Sequence, residues 1–252
     1  MDGEDLTQAA MDFPDPFRLM VRDEAGSTND ELSILGKSGA PEGLVLLAKN
    51  QTCGRGRRGA AWFSPSGESL AFSILLRPSA PVAVWPRLAL IAGLAVTEAL
   101  EVFSFHPQIK WPNDIWLDRR KVAGILVEAG PGFAVVGIGL NVNSQSFPPE
   151  LAEIATSMQL VSGMAHSPGG VLREIITRFA FRKAQLEQNF GEIVEAVRER
   201  CGLTGETVSL ESPMGILSGQ VVGLSPNGEL LLQTSERLER LIQADRIRVT
   251  TH

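Results

Sequence analysis

From residue 109 to residue 140 the chain reads IKW, IWL, KVAGILVEA and FAVVGIGL, four strand-like stretches in succession with short turns, DRR at 118–120 being one of them. Apolar, β-branched runs broken only by turn residues commit this part of the chain to a sheet. GLVLLA (43–48) and SLAFSILL (69–76) add two buried strands, the second alternating Leu70, Phe72, Ile74 and Leu76 on one face. Helical spacing follows Pro86, where Leu88, Ile91, Ala92, Ala95, Val96 and Ala99 form one stripe, and returns over 169–190 with Val171, Leu172, Ile175, Ile176, Phe179, Leu186 and Phe190. Strands and helices therefore share one α+β unit over residues 17–203. Near Cys201–Gly205 the pattern changes: ETVSL, GILSGQVVGL, ELLLQ and DRIRV are short strands, and SPNG (225–228) is a hairpin turn. Residues 204–252 read as a small β module, and residues 1–16, polar and closing on the two prolines of FPDPF, as a flexible arm.

Composition removes several classes of function. A net charge of −6 argues against general nucleic-acid binding, which shows as a basic patch. No apolar run reaches the ~18 residues of a membrane span, and MDGEDLTQAAMDF has no basic-then-apolar signal pattern. Cys53 and Cys201 make neither a disulfide framework nor a metal quartet, so a reducing cytoplasm is the expected compartment.

Against that acidic background, CGRGRRGAAW (53–62) sets Arg55, Arg57 and Arg58 among Gly54, Gly56 and Gly59. Glycines let backbone N–H groups approach a ligand closely, and arginine forks grip phosphate or carboxylate bidentately. The spacing fits neither a Walker A loop nor a dinucleotide fingerprint. By itself the loop indicates an anion, and a solvated turn accounts for an isolated RGR as well. KWPND (110–114) places Lys110, Asn113 and Asp114 on a corner stiffened by Pro112; it suits a hydrated cation with phosphate, or simply a hairpin turn. In GSTNDE (26–31), Thr28 and Glu31 have the spacing of a capping box, whose helix N-terminus can also receive polar ligand atoms. Lys121 opens a strand and Gly124 sits inside it, a hint that something approaches the backbone there.

In order along the chain, STN (27–29), QTCGRGRRGAAW (51–62), KWPND, RKVAGIL (120–126) and GIGLNVN (137–143) closely resemble the biotin–protein ligases. SGQVVGLSPNGELLL (218–232) resembles their small C-terminal β domain. The resemblance implies a mixed β-sheet catalytic domain backed by helices, related to class II aminoacyl-tRNA synthetases, followed by an SH3-like barrel. It implies synthesis of biotinyl-5′-AMP from biotin and ATP with Mg²⁺, then transfer to one lysine of a biotin carboxyl carrier protein. Carried over by position, Ser27, Thr28, Asn29, Gln51, Arg55, Gly56, Arg57 and Lys121 would meet biotin. Arg57, Arg58, Trp62, Lys110, Asn113 and Asn141 would meet ATP, with Asp114 on the metal and Lys121 and Arg57 as the catalytic cations. Lipoate–protein ligases share the fold and the adenylation logic, and a non-catalytic relative is the other alternative. The family includes monomers and dimers formed by sheet extension.

Three departures from the family pattern stand out. Ala60 and Ala61 replace basic residues common before the tryptophan, Cys53 replaces a small residue, and the last strand lacks its usual preceding glycine. The alanines lead to the expectation of a looser lid over the adenylate, and Cys53 to that of a small buried side chain or a thiol in the site. Some relatives are also repressors through a winged helix; the residues ahead of the catalytic unit are too few for one, so the monofunctional type without operator binding is expected.

Overall fold

The computed structural model describes residues 3–213 and 215–250. Seven strands form the main sheet: β1 (Arg18–Ala25), β2 (Leu44–Gln51), β3 (Ser69–Leu76), β4 (Gln108–Lys110), β5 (Asp114–Leu117), β6 (Arg120–Gly130) and β7 (Phe133–Asn141). Their order is β1-β2-β3-β7-β6-β5-β4, antiparallel throughout except for the β1–β2 pair, which makes the sheet mixed. The parallel pair requires a crossover, and helix α2 (Thr28–Lys37) supplies it.

Alternation assigns the two faces. Leu70, Phe72, Ile74 and Leu76 of β3, with Ala134, Val136, Ile138 and Leu140 of β7, enter the large core against α3 (Arg87–Val102) and α6 (Pro168–Gln188). Leu75 and Val135 point the other way and meet Leu32 of α2 in a smaller cluster. The stretch Val82–Val102 is long and apolar enough to cross a membrane by composition, but it lies mostly buried against the sheet. Short helices α4 (Pro149–Ala152) and α5 (Met158–Ser162) follow β7, and α7 (Phe190–Glu199) leads from α6 to the C-terminal module.

That module is a five-stranded antiparallel sheet of the SH3-like kind, with β8 (Thr207–Ser212), β9 (Gly215–Leu224), β10 (Leu230–Gln233), β11 (Leu238–Leu241) and β12 (Asp245–Val249) in the order β11-β10-β9-β8-β12. The last strand forms without a preceding glycine, and Arg246 within it has a positive φ of 45°. It packs on the catalytic unit, where Trp111 Nε1 donates to Gly228 O at 3.0 Å.

The N-terminal segment differs from the expected flexible arm. Gly3–Met11 forms helix α1, which buries Leu6 and Ala9, and Phe13 and Phe17 bury behind it. Leu6 and Ala9 stand three apart on one face, a stripe masked by the polar residues around it. Asp5 accepts hydrogen bonds from Ser167 Oγ (2.5 Å) and Gly169 N (2.7 Å) at the start of α6, so its charge serves another helix's N-terminus. Residues 1 and 2 of that segment, and 251 and 252 of the small module, lie outside the described residues.

Candidate active site

The cleft opens on the sheet face away from α3 and α6, and its floor follows from the register. Ala71 of β3, Gly139 of β7, Gly124 of β6 and Asp114 of β5 are successive partners across four strands. One pair along, Ser73, Gly137 and Leu126 form the next row. The small residues are where other groups lie flat on the backbone. A Cβ on Gly139 would stand 2.3 Å from Trp62 Cε2, and one on Gly137 would stand 2.2 Å from Asn29 Oδ1. The period-two glycines of GIG therefore mark a floor rather than a weak strand.

At one end of the cleft, α2 begins. Ser27 is its N-cap, and Ser27, Thr28 and Asn29 are all buried. The expected capping box of Thr28 and Glu31 does not form: Ser27 takes the N-cap position, Glu31 N donates to Ser27 O at 3.1 Å, and the Glu31 carboxylate pairs with Arg22 at 3.4 Å. The Thr28 hydroxyl is instead drawn to the strands. Gln51 Oε1 lies 3.0 Å from Thr28 N and 3.2 Å from Thr28 Oγ1. Fully buried Ser73 Oγ lies 2.7 Å from Thr28 Oγ1 and 2.6 Å from Asn29 Oδ1. Asn29 Nδ2 donates to Glu128 Oε2 at 2.7 Å, and Glu128 also holds Arg55 at 3.2 Å, with Asp30 as that arginine's second partner.

At the other end the groups are charged. Arg57 Nη1 donates to Asn113 Oδ1 (3.2 Å) and Ala244 O (3.1 Å), and Nη2 meets Asp245 at 3.1 Å. Asn113 is itself fixed to β6, its Nδ2 donating to Ile125 O at 2.9 Å and its carbonyl accepting from Ile125 N at 2.8 Å. Lys121 Nζ sits 2.7 Å from Asp114 Oδ1 and 5.4 Å from the centre of the Trp62 ring. Lys121 reaches the cleft through an irregularity: Ile115 opposes Ala123 while Trp116 opposes Lys121, leaving Val122 as an extra residue buried in the core. That bulge rotates the start of β6 by one position and aims Lys121 across the floor.

The walls of the cleft include Ser27, Thr28, Asn29, Gln51, Arg55, Gly56, Arg57, Trp62, Asn113 and Lys121, all residues singled out from the sequence. Residues 25–143 match the Biotin/lipoate A/B protein ligase family, and residues 204–245 match the Biotin protein ligase C terminal domain. The bifunctional ligase/repressor BirA of Bacillus spizizenii is 34% identical over 236 residues, which are 90% of this chain and 73% of that protein. The chain belongs to the biotin protein ligases. The biotin–[acetyl-CoA-carboxylase] ligase of Paracoccus denitrificans is 34% identical over 221 residues, 82% of this chain and 90% of its own. Among solved structures, the Aquifex aeolicus biotin protein ligase in complex with biotin and ATP superimposes with a TM-score of 0.85 at 32% identity, covering 92% of this chain and 99% of that one.

Four residues singled out from the sequence stand outside the walls of the ligase cleft. Asp114 lies behind Lys121, as its ion-pair partner. Lys110 folds over the Trp116 ring at 5.1 Å; burial pushes its ammonium below the ordinary lysine value, opposed by Asp114 and assisted by Lys121 and Arg119. Arg58 turns to the small module, with Asp245 at 2.6 Å and Glu211 at 3.8 Å. Asn141 continues the β7 face beyond Gly139, donating from Nδ2 to Thr156 O at 3.0 Å. Its Oδ1, with Ser144 Oγ and Thr156 Oγ1, is buried without a partner among the described residues. Cys53 is exposed and free, contrary to the expectation of a small buried side chain or a thiol in the site. Sequence reasoning missed Ser73, Glu128, Asp30 and Asp245. Of these Ser73 carried a signal, as a polar residue inside the otherwise apolar SLAFSILL.

Proposed function

We propose that this ligase joins the biotin carboxylate to the α-phosphate of ATP, releasing pyrophosphate, and then passes the biotinyl group from AMP to a lysine of a biotin carboxyl carrier domain. The observation that carries the proposal is the convergence of a buried neutral network and two aimed cations, Arg57 and Lys121, on one glycine-floored cleft. A neutral bicyclic urea exchanges hydrogen bonds with Ser27, Thr28, Asn29 and Gln51, while Gly56 lets the loop backbone approach it and Arg55, tied to Asp30 and Glu128, closes that end. The carboxylate then points at Arg57 and Lys121. Attack of one anion on another needs cations placed where charge develops, and these two supply them.

In the first step a carboxylate oxygen bonds to the α-phosphorus and the bond to pyrophosphate breaks. In the second, the neutral amine of the acceptor lysine attacks the acyl carbon, AMP departs with the bonding electrons, and the amine proton goes to solvent. Trp62, whose Nε1 is buried without a partner among the described residues, gives the adenine a ring to pack against. Asn141 offers Oδ1 to the nucleotide, Arg58 and Lys110 add positive charge for the triphosphate, and Asn113 holds Arg57.

No group of three ligating side chains suits a resident metal among the described residues. Asp114, one carboxylate beside the phosphate end, fits a magnesium that arrives with the triphosphate and takes most of its ligands from phosphate and water. Bound there, the ion would neutralise the departing pyrophosphate.

Biotin-dependent ATP–pyrophosphate exchange tests the reading, with lipoate and octanoate run in parallel. Exchange with biotin alone is the expected outcome. Exchange confined to lipoate would reassign the substrate within the same fold, and silence from folded protein with all three would overturn the enzymatic reading.

A further inference from the structure

Two arginines of the glycine-rich loop converge on one carboxylate of the small module. Asp245 opens β12 with only 11% of its side chain exposed; Oδ1 takes Arg57 at 3.1 Å and Oδ2 takes Arg58 at 2.6 Å. The neighbouring Ala244 carbonyl accepts a further bond from Arg57 at 3.1 Å. Arg57 thus spans the boundary between the domains, with Asn113 of the catalytic unit on one side and β12 on the other. Arg58 adopts a left-handed backbone, φ 52°, which a side chain with a Cβ rarely takes, and its Nη2 ends on Asp245. The loop that carries both closes on itself through Gly56 N to Ala60 O (2.6 Å) and Trp62 N to Gly54 O (2.9 Å), and the contacts of Arg57 and Arg58 with Ala244, Asp245 and, at 3.8 Å, Glu211 tie its tip to the small module.

We infer that Asp245 is a positioning residue for the adenylation proposed above: a carboxylate of the small domain that sets where the loop's cations stand over the cleft. The inference rests on that reading of the site. The cleft itself is walled by residues between 27 and 139, and the small domain lines only the adjoining cavity, through Asn227–Glu229, Ile242 and Gln243, which shares Arg57 and Asn113 with the cleft. Its influence runs through Arg57, which lines the cleft while it is bound to Asp245. That coincidence excludes the opposite role, in which Asp245 would withdraw Arg57 from the site. A buried carboxylate shared by two guanidiniums is directional and charge-assisted, so it fixes both position and rotamer.

The test compares Asp245→Asn, Asp245→Glu, Arg58→Ala and the pair Arg58→Ala/Asp245→Asn in the full chain. Expected for Asp245→Asn is a kcat for biotin-dependent exchange about 30-fold lower, with biotin affinity within about threefold and faster escape of adenylate into solution. Asp245→Glu recovers most of that loss. The pair loses less than the product of its single variants, because part of the Arg58 effect runs through the contact with Asp245. A readout independent of turnover accompanies these: trypsin cleaves the ligand-free loop at its arginines about tenfold faster in Asp245→Asn than in the wild type, at unchanged melting temperature. Wild-type kcat in Asp245→Asn, an additive pair, or unchanged tryptic cleavage would each overturn the inference. An active wild type with an unaffected Asp245→Asn removes this inference alone; a silent wild type removes the adenylation reading as well.

Discussion

The two ends of the cleft hold their polar groups by opposite means. Around Thr28, Asn29, Gln51 and Ser73 the groups are largely neutral, buried and hydrogen-bonded to one another before any ligand arrives. At the other end Arg57, Arg58 and Lys121 are each already paired with a carboxylate, Asp245 or Asp114, at a partly exposed site. The first arrangement is costly to disturb, because a buried donor or acceptor that loses its partner has nothing to replace it. The second can take on a ligand as it stands, since a guanidinium or ammonium paired with one carboxylate keeps further donors for a phosphate oxygen. One end selects; the other meets the developing charge.

Removing a cation should separate the ends most sharply. Lys121→Ala is expected to lower biotin-dependent pyrophosphate exchange by about 1,000-fold or more. Biotin binding by calorimetry should weaken far less, because the neutral network is untouched. Equal losses in both would dissolve the distinction. The converse substitution is Gly137→Ala, whose new Cβ would stand 2.2 Å from Asn29 Oδ1 and must displace that side chain. Biotin affinity should fall about 100-fold while exchange at saturating biotin stays within a few fold of wild type. Salt offers a gentler probe. Raising ionic strength from about 0.05 to 0.5 M should raise the ATP KM several-fold and leave the biotin Kd within about twofold, since screening acts on the charged end. The smallest effect concerns the alanines before Trp62. Ala60→Arg should slow adenylate release by about threefold, and an unchanged release rate would show that the missing cation is not what loosens the lid.

Much of this was legible in the residues, but unevenly. The apolar alternation of SLAFSILL and FAVVGIGL marked buried strands that form as read. GRGRRG, KWPND and STN named most of the polar side chains that meet in the cleft. The capping-box spacing misled, because the Thr28 hydroxyl has better partners on β2 and β3 than on its own helix. The N-terminal helix escaped because its apolar stripe is short and the contact of Asp5 with the start of α6 spans more than 160 residues.

Local pattern and motif order determined by themselves which segments are strands, which loop is cationic, and which family the chain resembles. Each depends on residues close in sequence, where period and steric preference act directly. Only the tertiary structure decided which way Lys121 faces, that Ser73 underlies Thr28 and Asn29, and that Asp245 anchors Arg57 and Arg58 from the far end of the chain. The bulge at Val122 shows the physical reason. A single extra residue in one strand turns a side chain from one face of the sheet to the other, and its presence depends on the pairing partner rather than on any residue within the strand.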